Sequence, residues 1–141
     1  MTAEEYLRQA YRLDQRINSD LEELSRLHEM AVSTSAPVPG EKVQTTRNTE
    51  APFVSAVEKI MAQEEYINGE VDLLVDLREQ IRKVIGTVPD PDERMVLQYR
   101  YIHGLTWKKI SKKLCKSVSS VKRYHWSGLS HVTMPENPIE I

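Results

Sequence analysis

Residues 93–132 read ERMVLQYRYIHGLTWKKISKKLCKSVSSVKRYHWSGLSHV, which is the most specific structural signal in the chain. An apolar segment leads to Gly104, a short lysine-rich segment leads to a second turn, and a longer segment with spaced apolar residues follows. Apolar residues that recur every three or four positions indicate amphipathic helices, and glycine favours the turn that ends a helix. The stretch therefore predicts three helices, of which the last two have the spacing of a helix-turn-helix.

The same stretch is strongly basic. From Arg94 to Val132 it holds nine lysine or arginine residues and no acidic residue. Residues 92–132 carry a net charge of +7 and residues 1–91 carry −7, although the whole chain has a net charge of only −2. Because phosphate attracts such a basic segment and is repelled by acidic surface, the pattern predicts a nucleic-acid-binding surface in one part of the molecule.

The first helix of this domain has a clear start. Asp90 is a favourable capping residue, Pro91 is tolerated at the first helical position, and Glu93 stands three residues after the cap. A glutamate at that position can bind back to the backbone N–H of the capping residue. We therefore expect one helix over residues 91–102.

The two following helices also have recognisable ends. Gly104 suits the left-handed conformation that ends a helix, and Thr106 can cap the helix after it. Residues 115–117 form the predicted turn, and Ser117 is a good cap for the last helix, which we expect at about 117–131. Trp107 is expected to pack in the core, whereas Trp126 is equally compatible with packing and with lying on a DNA backbone.

If the last helix enters the major groove of DNA, its exposed front should contact base edges. The residues predicted to do so are Val118, Ser119, Lys122 and Arg123. Basic and hydroxyl side chains around them are better suited to phosphate, which positions a protein without specifying sequence. The predicted phosphate contacts are Thr106, Lys108, Lys109, Lys112, Lys113, Lys116, Ser117 and Trp126.

Residues 1–86 carry two long apolar stripes at helical spacing. The first lies between residues 4 and 32 and consists of Ala10, Leu13, Ile17, Leu21, Leu24, Leu27 and Ala31. The second consists of Phe53, Val57, Ile60, Ile67, Val71, Leu74, Leu77, Ile81 and Val84. Two amphipathic helices joined by a loop predict an antiparallel, coiled-coil-like hairpin.

Residues 33–51 are rich in Ser, Thr, Pro and Gly, so they predict a partly disordered loop. The second helix should begin with Thr49 or Glu50 near its cap and Pro52 in its first turn. Gly69 interrupts this helix, which suggests either a bend or a close contact with another helix.

The predicted fold is all-α, with a hairpin domain at 1–86, a helix-turn-helix domain at 90–132 and a tail at 133–141. The domain boundary is expected at Thr87–Asp90. The hairpin either covers its own stripes against the C-terminal domain or forms a homodimer, since a long exposed apolar stripe is unusual on a monomer.

The segment Arg94–Val132 resembles region four of bacterial sigma factors and related response-regulator-type domains. Its sequence VLQYRYIHGLTWKKISKKL, followed by S-x-x-S-V-K-R, is similar to that family's helix, Gly-Leu-Thr turn and Ile-(Ser/Ala)-x-x-Leu helix. With YLRQAYRLDQRINSDLEEL near its start and VPDPDERMVLQYRYIHGLTW later, the whole chain resembles ArpU- and RinA-like regulators of Gram-positive phages and prophages. The resemblance implies transcriptional control of late phage genes, with RNA polymerase as a further partner, although sigma region two is missing.

Other classes of function have little support in the sequence. Cys115 is the single cysteine, so no disulfide within the chain is possible, and no paired ligands of a zinc site occur. No phosphate-binding glycine loop or catalytic motif occurs either, so we expect neither an enzyme nor a bound metal or cofactor. The start of the chain is charged and no apolar run is long enough for a membrane span, so we expect a soluble, cytoplasmic protein.

The sequence therefore favours a sequence-specific DNA-binding transcriptional regulator that binds double-stranded DNA. Two alternatives belong to other classes: a DNA-packaging subunit like those of small terminases, and a helical adaptor that binds another protein without DNA.

Overall fold

The computed structural model describes residues 1–35 and 46–141, with side chains for residues 1–33 and 52–141. All the regular structure in this part of the chain is helical, so the all-α prediction is confirmed. The five α-helices are α1 (Ala3–Ser35), α2 (Thr46–Ile85), α3 (Pro91–Leu97), α4 (Trp107–Leu114) and α5 (Val118–Ser130). A π-helical turn, Gln98–Ile102, directly follows α3.

Both ends of the predicted loop at 33–51 are helical in the structure. Helix α1 continues to Ser35 and α2 begins at Thr46, and residues 36–45 of the predicted loop lie outside the described residues. The predicted start of α2 at Thr49 or Glu50 was therefore wrong, and Pro52 lies inside the helix. A proline inside a helix lacks the N–H of one backbone hydrogen bond and crowds the carbonyl four residues before it, which is why the sequence favoured a helix start at this position.

The described chain divides into two compact units, of which one combines Met1–Asp14 with Leu73–Ile141 and the other is Gln15–Asp72. The boundary that the sequence suggested, at Thr87–Asp90, does not separate these units. Apolar burial explains the difference, since Val88 is only 1 % exposed and Ile85 is also buried. The connection after α2 is thus part of a core rather than a linker.

Within the unit Gln15–Asp72, α1 and α2 run antiparallel. The Arg16 Nε lies 2.6 Å from the Glu70 Oε2, and the His28 Nε2 lies 3.6 Å from the Glu64 Oε1. His28 follows Arg16 along α1, whereas its partner Glu64 precedes Glu70 along α2, as antiparallel helices require. The buried apolar residues of this unit are Ile17, Ala31, Ile60 and Ile67.

The apolar stripes of this unit are narrower than the sequence predicted. Leu21, Phe53 and Val71 are exposed, so three predicted members of the stripes lie outside the core. The close helix contact suggested for Gly69 was also wrong, because a Cβ atom added there would have no atom within 4 Å among the described residues.

The other unit contains the first turns of α1 and the last turns of α2, again antiparallel. The Tyr6 hydroxyl donates to Gln80 Oε1 at 2.6 Å, and Arg78 lies 3.7 Å from the Asp14 carboxylate. The apolar residues buried on these two helix ends are Tyr6, Leu7, Ala10, Leu13, Leu74, Leu77, Ile81, Val84 and Ile85. The hairpin prediction therefore holds here, with a fuller core than in the unit Gln15–Asp72.

Helix α3 begins as predicted but does not continue as one α-helix to Ile102. Asp90 caps it by accepting a hydrogen bond from the Asp92 N–H at 2.9 Å. In the π-helical turn that follows, the His103 N–H binds the Gln98 carbonyl, five residues back, at 3.2 Å. Such a turn holds one extra residue and shifts the buried face of a helix, and here Tyr101 is buried.

Residues 133–141, called the tail segment below, return to the ends of α1 and α2. The Thr133 N–H donates to the Thr87 Oγ1 at 3.2 Å, and the Ile139 N–H donates to the Gln80 Oε1 at 2.9 Å. The segment predicted as a separate tail is therefore part of the compact unit, because side-chain amides and hydroxyls bind its backbone.

Candidate nucleic-acid interface

The turn between α4 and α5 fixes the direction in which α5 leaves it. Cys115 adopts the left-handed conformation (φ 53°), and the Lys116 N–H donates to the Ser111 carbonyl at 3.1 Å. The Ser111 hydroxyl also donates to the Lys116 carbonyl. The predicted turn at residues 115–117 is thus confirmed, and its backbone groups are bound to α4.

The predicted caps of both helices are also present. The Thr106 hydroxyl accepts from the Lys109 N–H at 3.3 Å, and the Ser117 hydroxyl accepts from the Ser120 N–H at 3.2 Å. Gly104 has a positive φ of 66°, as expected for the residue that ends a helix. These contacts define where α4 and α5 begin.

A small core holds the three short helices together. Val96 of α3, Ile110 of α4 and Val121 of α5 are fully buried and form its centre. The partly buried residues packed against them are Tyr99, Leu105, Trp107, Leu114 and Tyr124. The prediction that Trp107 packs is therefore confirmed.

Helix α5 turns one face to solvent. The four residues predicted to contact bases, Val118, Ser119, Lys122 and Arg123, are all exposed. Positions separated by three or four residues share a helix face, so these four lie together. Trp126 is 57 % exposed and joins the same face, with one edge contact to the His125 ring.

Helix α4 presents its lysines in the same way. The predicted phosphate contacts Lys108, Lys109, Lys112 and Lys113 are all exposed. Their spacing matches that of the exposed residues on α5, so they share one face of α4. The Lys113 Nζ lies 5.8 Å from the Tyr99 ring centroid, a distance at which a cation interacts weakly with an aromatic face.

Three of the predicted phosphate contacts are engaged within the chain. The Thr106 and Ser117 hydroxyls cap their helices, and the Ser117 hydroxyl also lies 2.9 Å from that of Ser120. The Lys116 Nζ lies 5.0 Å from the Tyr124 ring centroid and 3.8 Å from the Asp92 Oδ2. Its charge is therefore partly balanced by Asp92, unlike the charges of the exposed lysines on α4.

A buried histidine on the inner face of α5 is the first functional-site residue to which the sequence assigned no role. His125 is 2 % exposed, and its Nε2 lies 2.6 Å from the Tyr101 hydroxyl. Its Nδ1 has no hydrogen-bond partner among the described residues. Burial, with the nearby charges of Arg100 and Arg8, lowers the pKa of His125 to about 4, so the ring is neutral at physiological pH.

The His125 ring connects the two tryptophans of the domain. The centroids of Trp107 and Trp126 each lie 4.7 Å from that of His125, in edge-on geometry. Arg100 lies over the Trp107 ring, with its Cζ 4.3 Å from the ring centroid, and donates to the Leu105 carbonyl at 3.0 Å. The exposed Trp126 is thus supported by a packed aromatic layer.

Glu93 is the second residue whose role the sequence did not identify. It was predicted to complete a capping box, but it is 5 % exposed and binds α5 instead. Its Oε1 accepts from the Ser127 hydroxyl at 2.5 Å, and its Oε2 lies 2.8 Å from the His131 Nδ1. The capping-box prediction was wrong because a tertiary contact uses both carboxylate oxygens.

Gly128 permits the close approach that this contact requires. A Cβ atom at Gly128 would lie 3.0 Å from the Leu97 Cδ1 and 3.2 Å from the Glu93 Cβ. Glycine therefore allows α5 to pack directly on α3, and Glu93 fixes the rotation of α5 about its axis.

The described residues offer no other obvious chemistry. Within residues 1–35 and 46–141, no three His, Cys, Asp or Glu side chains converge in a way that could hold a metal ion. Among the described helices, none combines the length and the apolar character needed to cross a bilayer.

The fold and this surface define an all-helical protein with a basic helix-turn-helix. A family model described as a protein of unknown function, DUF722, matches residues 11–127, so the chain belongs to that family. The match spans most of α1, all of α2 to α4 and most of α5. No curated protein and no solved structure matches the chain.

Proposed function

We propose that this protein binds double-stranded DNA in a sequence-specific manner and regulates transcription, with α5 in the major groove. One observation carries the proposal: the exposed faces of α4 and α5 are basic, and no acidic residue occurs between Arg94 and Val132. Ordinary solvated helix faces mix charges of both signs, whereas a surface for phosphate excludes acidic side chains.

The side chains divide into two roles. Arg123 and Lys122 can donate to guanine edges, Ser119 can bond to several bases, and Val118 can contact a thymine methyl group. The exposed lysines of α4 are assigned to phosphate, which sets the register of the protein on the duplex. Trp126 is assigned to the DNA backbone beside α5.

The resemblance to ArpU- and RinA-like regulators supports a phage or prophage origin and late genes as the target. Two further partners belong to this proposal: a second copy of the chain, bound through α1 and α2, and RNA polymerase. A two-fold dimer would bind half-sites about one helical turn apart.

The decisive experiment is selection of bound sequences from a random duplex pool by the full-length chain at about 0.15 M salt. We expect a recovered motif, repeated at fixed spacing if the protein is a dimer. Recovered DNA without a motif, together with assemblies of eight or more subunits, would replace this proposal with a packaging subunit. Failure to retain any DNA at low salt would replace it with a protein-binding adaptor.

Substitutions then separate the two roles. Arg123→Ala should weaken binding to the selected site roughly 5- to 150-fold and leave binding to random duplex nearly unchanged. Lys112→Ala should weaken binding to the selected site and to random duplex equally. It should also reduce the slope of the logarithm of the binding constant against the logarithm of the salt concentration by about one. Arg82→Ala, an exposed arginine on α2, is the matched control. Equal losses on both duplexes for Arg123→Ala would show that α5 does not contact bases.

A further inference from the structure

The backbone of the tail segment is bound by two glutamine side chains from different helices. Gln80 of α2 donates to the Asn137 carbonyl at 3.0 Å and accepts from the Ile139 N–H at 2.9 Å. Gln9 of α1 donates to the Ile139 carbonyl at 2.8 Å and accepts from the Ile141 N–H at 3.0 Å. Each amide therefore binds a carbonyl and the N–H two residues further on, as a neighbouring parallel strand would.

Tyr6 orients both amides. Its hydroxyl donates to the Gln80 Oε1 at 2.6 Å, so the Gln80 Nε2 is directed to the segment. Its carbonyl accepts from the Gln9 Nε2 at 3.2 Å. Burial raises the pKa of Tyr6 to about 12, so its hydroxyl keeps its proton and remains a donor at physiological pH. The two amides are thus aligned by groups that do not belong to the tail segment.

The sequence of the segment suits an extended conformation. Pro138 has a restricted φ and favours extended backbone at Asn137 before it. Proline lacks an N–H, but the two glutamines bind only the N–H groups of Ile139 and Ile141. All four hydrogen bonds from the glutamines join side-chain amides to backbone, so they require the extended backbone that the Asn137-Pro138 step favours.

Burial is unequal on the two sides of this contact. Gln9 is 8 % exposed, and a buried amide needs hydrogen-bond partners because it cannot bind bulk water. In the segment, by contrast, Asn137, Glu140 and Ile141 are exposed. Hydrogen bonds to the glutamines therefore contribute more to holding these residues than apolar burial does.

A cleft of about 560 Å³ lies beside the segment. Its lining includes Asp76 and Glu79 of α2, and Met134 and Pro135 of the segment itself. The segment therefore leaves open space next to Gln80 and forms one side of this cleft itself.

We propose that Gln9, Gln80 and Tyr6 form a binding site for an extended peptide, which the tail segment occupies within the chain. A peptide from another molecule, with an Asn-Pro step followed by apolar residues at alternate positions, binds the same amides when the tail segment leaves. This site does not depend on the proposed binding of DNA.

The test uses a full-length chain whose own segment binds the site less tightly. Ile139→Pro removes the N–H that donates to Gln80 and changes no helix. A fluorescent peptide with the sequence of residues 133–141 should bind this variant at least tenfold more tightly than it binds the unchanged chain. The same peptide carrying Ile139→Pro should not bind, and adding Gln80→Leu to the variant should abolish binding. Absence of peptide binding to the folded Ile139→Pro chain would overturn the proposal.

Hydrogen exchange on the unchanged chain provides a second measurement, should the variant fail to fold. The amides of Ile139 and Ile141 should be protected, and excess peptide should speed their exchange by displacing the segment. Exchange rates that do not respond to millimolar peptide in that case would equally overturn the proposal.

Discussion

Mild acid should destabilise the helix-turn-helix through His125, and one substitution isolates this effect. Burial lowers the pKa of His125 from 6.5 to about 4, helped by the charges of Arg100 and Arg8. Below pH 6.5 the unfolded chain therefore binds a proton that the folded chain does not bind, so stability falls as the pH falls from 6.5 towards 4. The loss is about 1.4 kcal/mol per pH unit, or at most about 2 kcal/mol between pH 7 and pH 5.

The assay is urea unfolding at pH 7 and pH 5, followed by circular dichroism. His125→Phe should be less stable at pH 7 by about 1–3 kcal/mol, because the buried Tyr101 hydroxyl loses its partner. Between pH 7 and pH 5, the free energy of unfolding of this variant should fall by about 2 kcal/mol less than that of the unchanged chain. His103→Phe, at an exposed histidine, should keep the original pH dependence. If His125→Phe keeps it too, the assignment of a neutral buried histidine is wrong.

Two predictions concern backbone positions, and thermal unfolding tests both. Gly128→Ala should lower the free energy of unfolding by about 1–3 kcal/mol, since the added Cβ would lie 3.0 Å from the Leu97 Cδ1. Gly69→Ala is its control and should raise the free energy of unfolding by about 1 kcal/mol, since no described atom lies within 4 Å there. Equal effects of the two substitutions would contradict the packing of α5 on α3. Cys115→Gly should gain about 1 kcal/mol, because φ is 53° at this position and glycine adopts such a conformation without strain. Cys115→Ala is its control and should bring no gain.

Local signals allowed much of the candidate surface to be predicted. The caps at Asp90, Thr106 and Ser117 depend on hydrogen bonds over two or three residues, so the sequence around each contains the whole interaction. Gly104 is a similar case, because its left-handed conformation reflects its own lack of a side chain. The exposed face of α5 followed from helical periodicity alone.

Long-range contacts account for what the sequence did not predict. Glu93 matches a capping box, and only the position of α5, 34 and 38 residues later, shows that Ser127 and His131 bind its carboxylate. The burial of His125 likewise depends on Tyr101, which a π-helical turn carries into the core. An unbroken α-helix over 91–102 would place Tyr101 on a different face. No local sequence pattern predicted the π-helical turn at Gln98–Ile102.

The domain boundary failed for the same reason. The segment after α2 contains Gly86, Pro89 and Pro91, which is typical of a linker. In the structure Val88 is buried within that segment, and the tail segment binds Thr87. The Gly and Pro content of a short segment indicates how its backbone can bend, but it does not show which distant residues bury that segment.

The division of the chain into units has a consequence for protein synthesis. The unit Gln15–Asp72 is continuous in sequence, so all of its residues have been made well before the ribosome reaches α3. The other unit joins both ends of the chain, and its hydrogen bond from Gln9 to Ile139 spans 130 residues. Domains generally fold as their residues emerge. The unit that carries the basic helices is therefore completed last, because its contacts with the tail segment form only after residues 133–141 have been made.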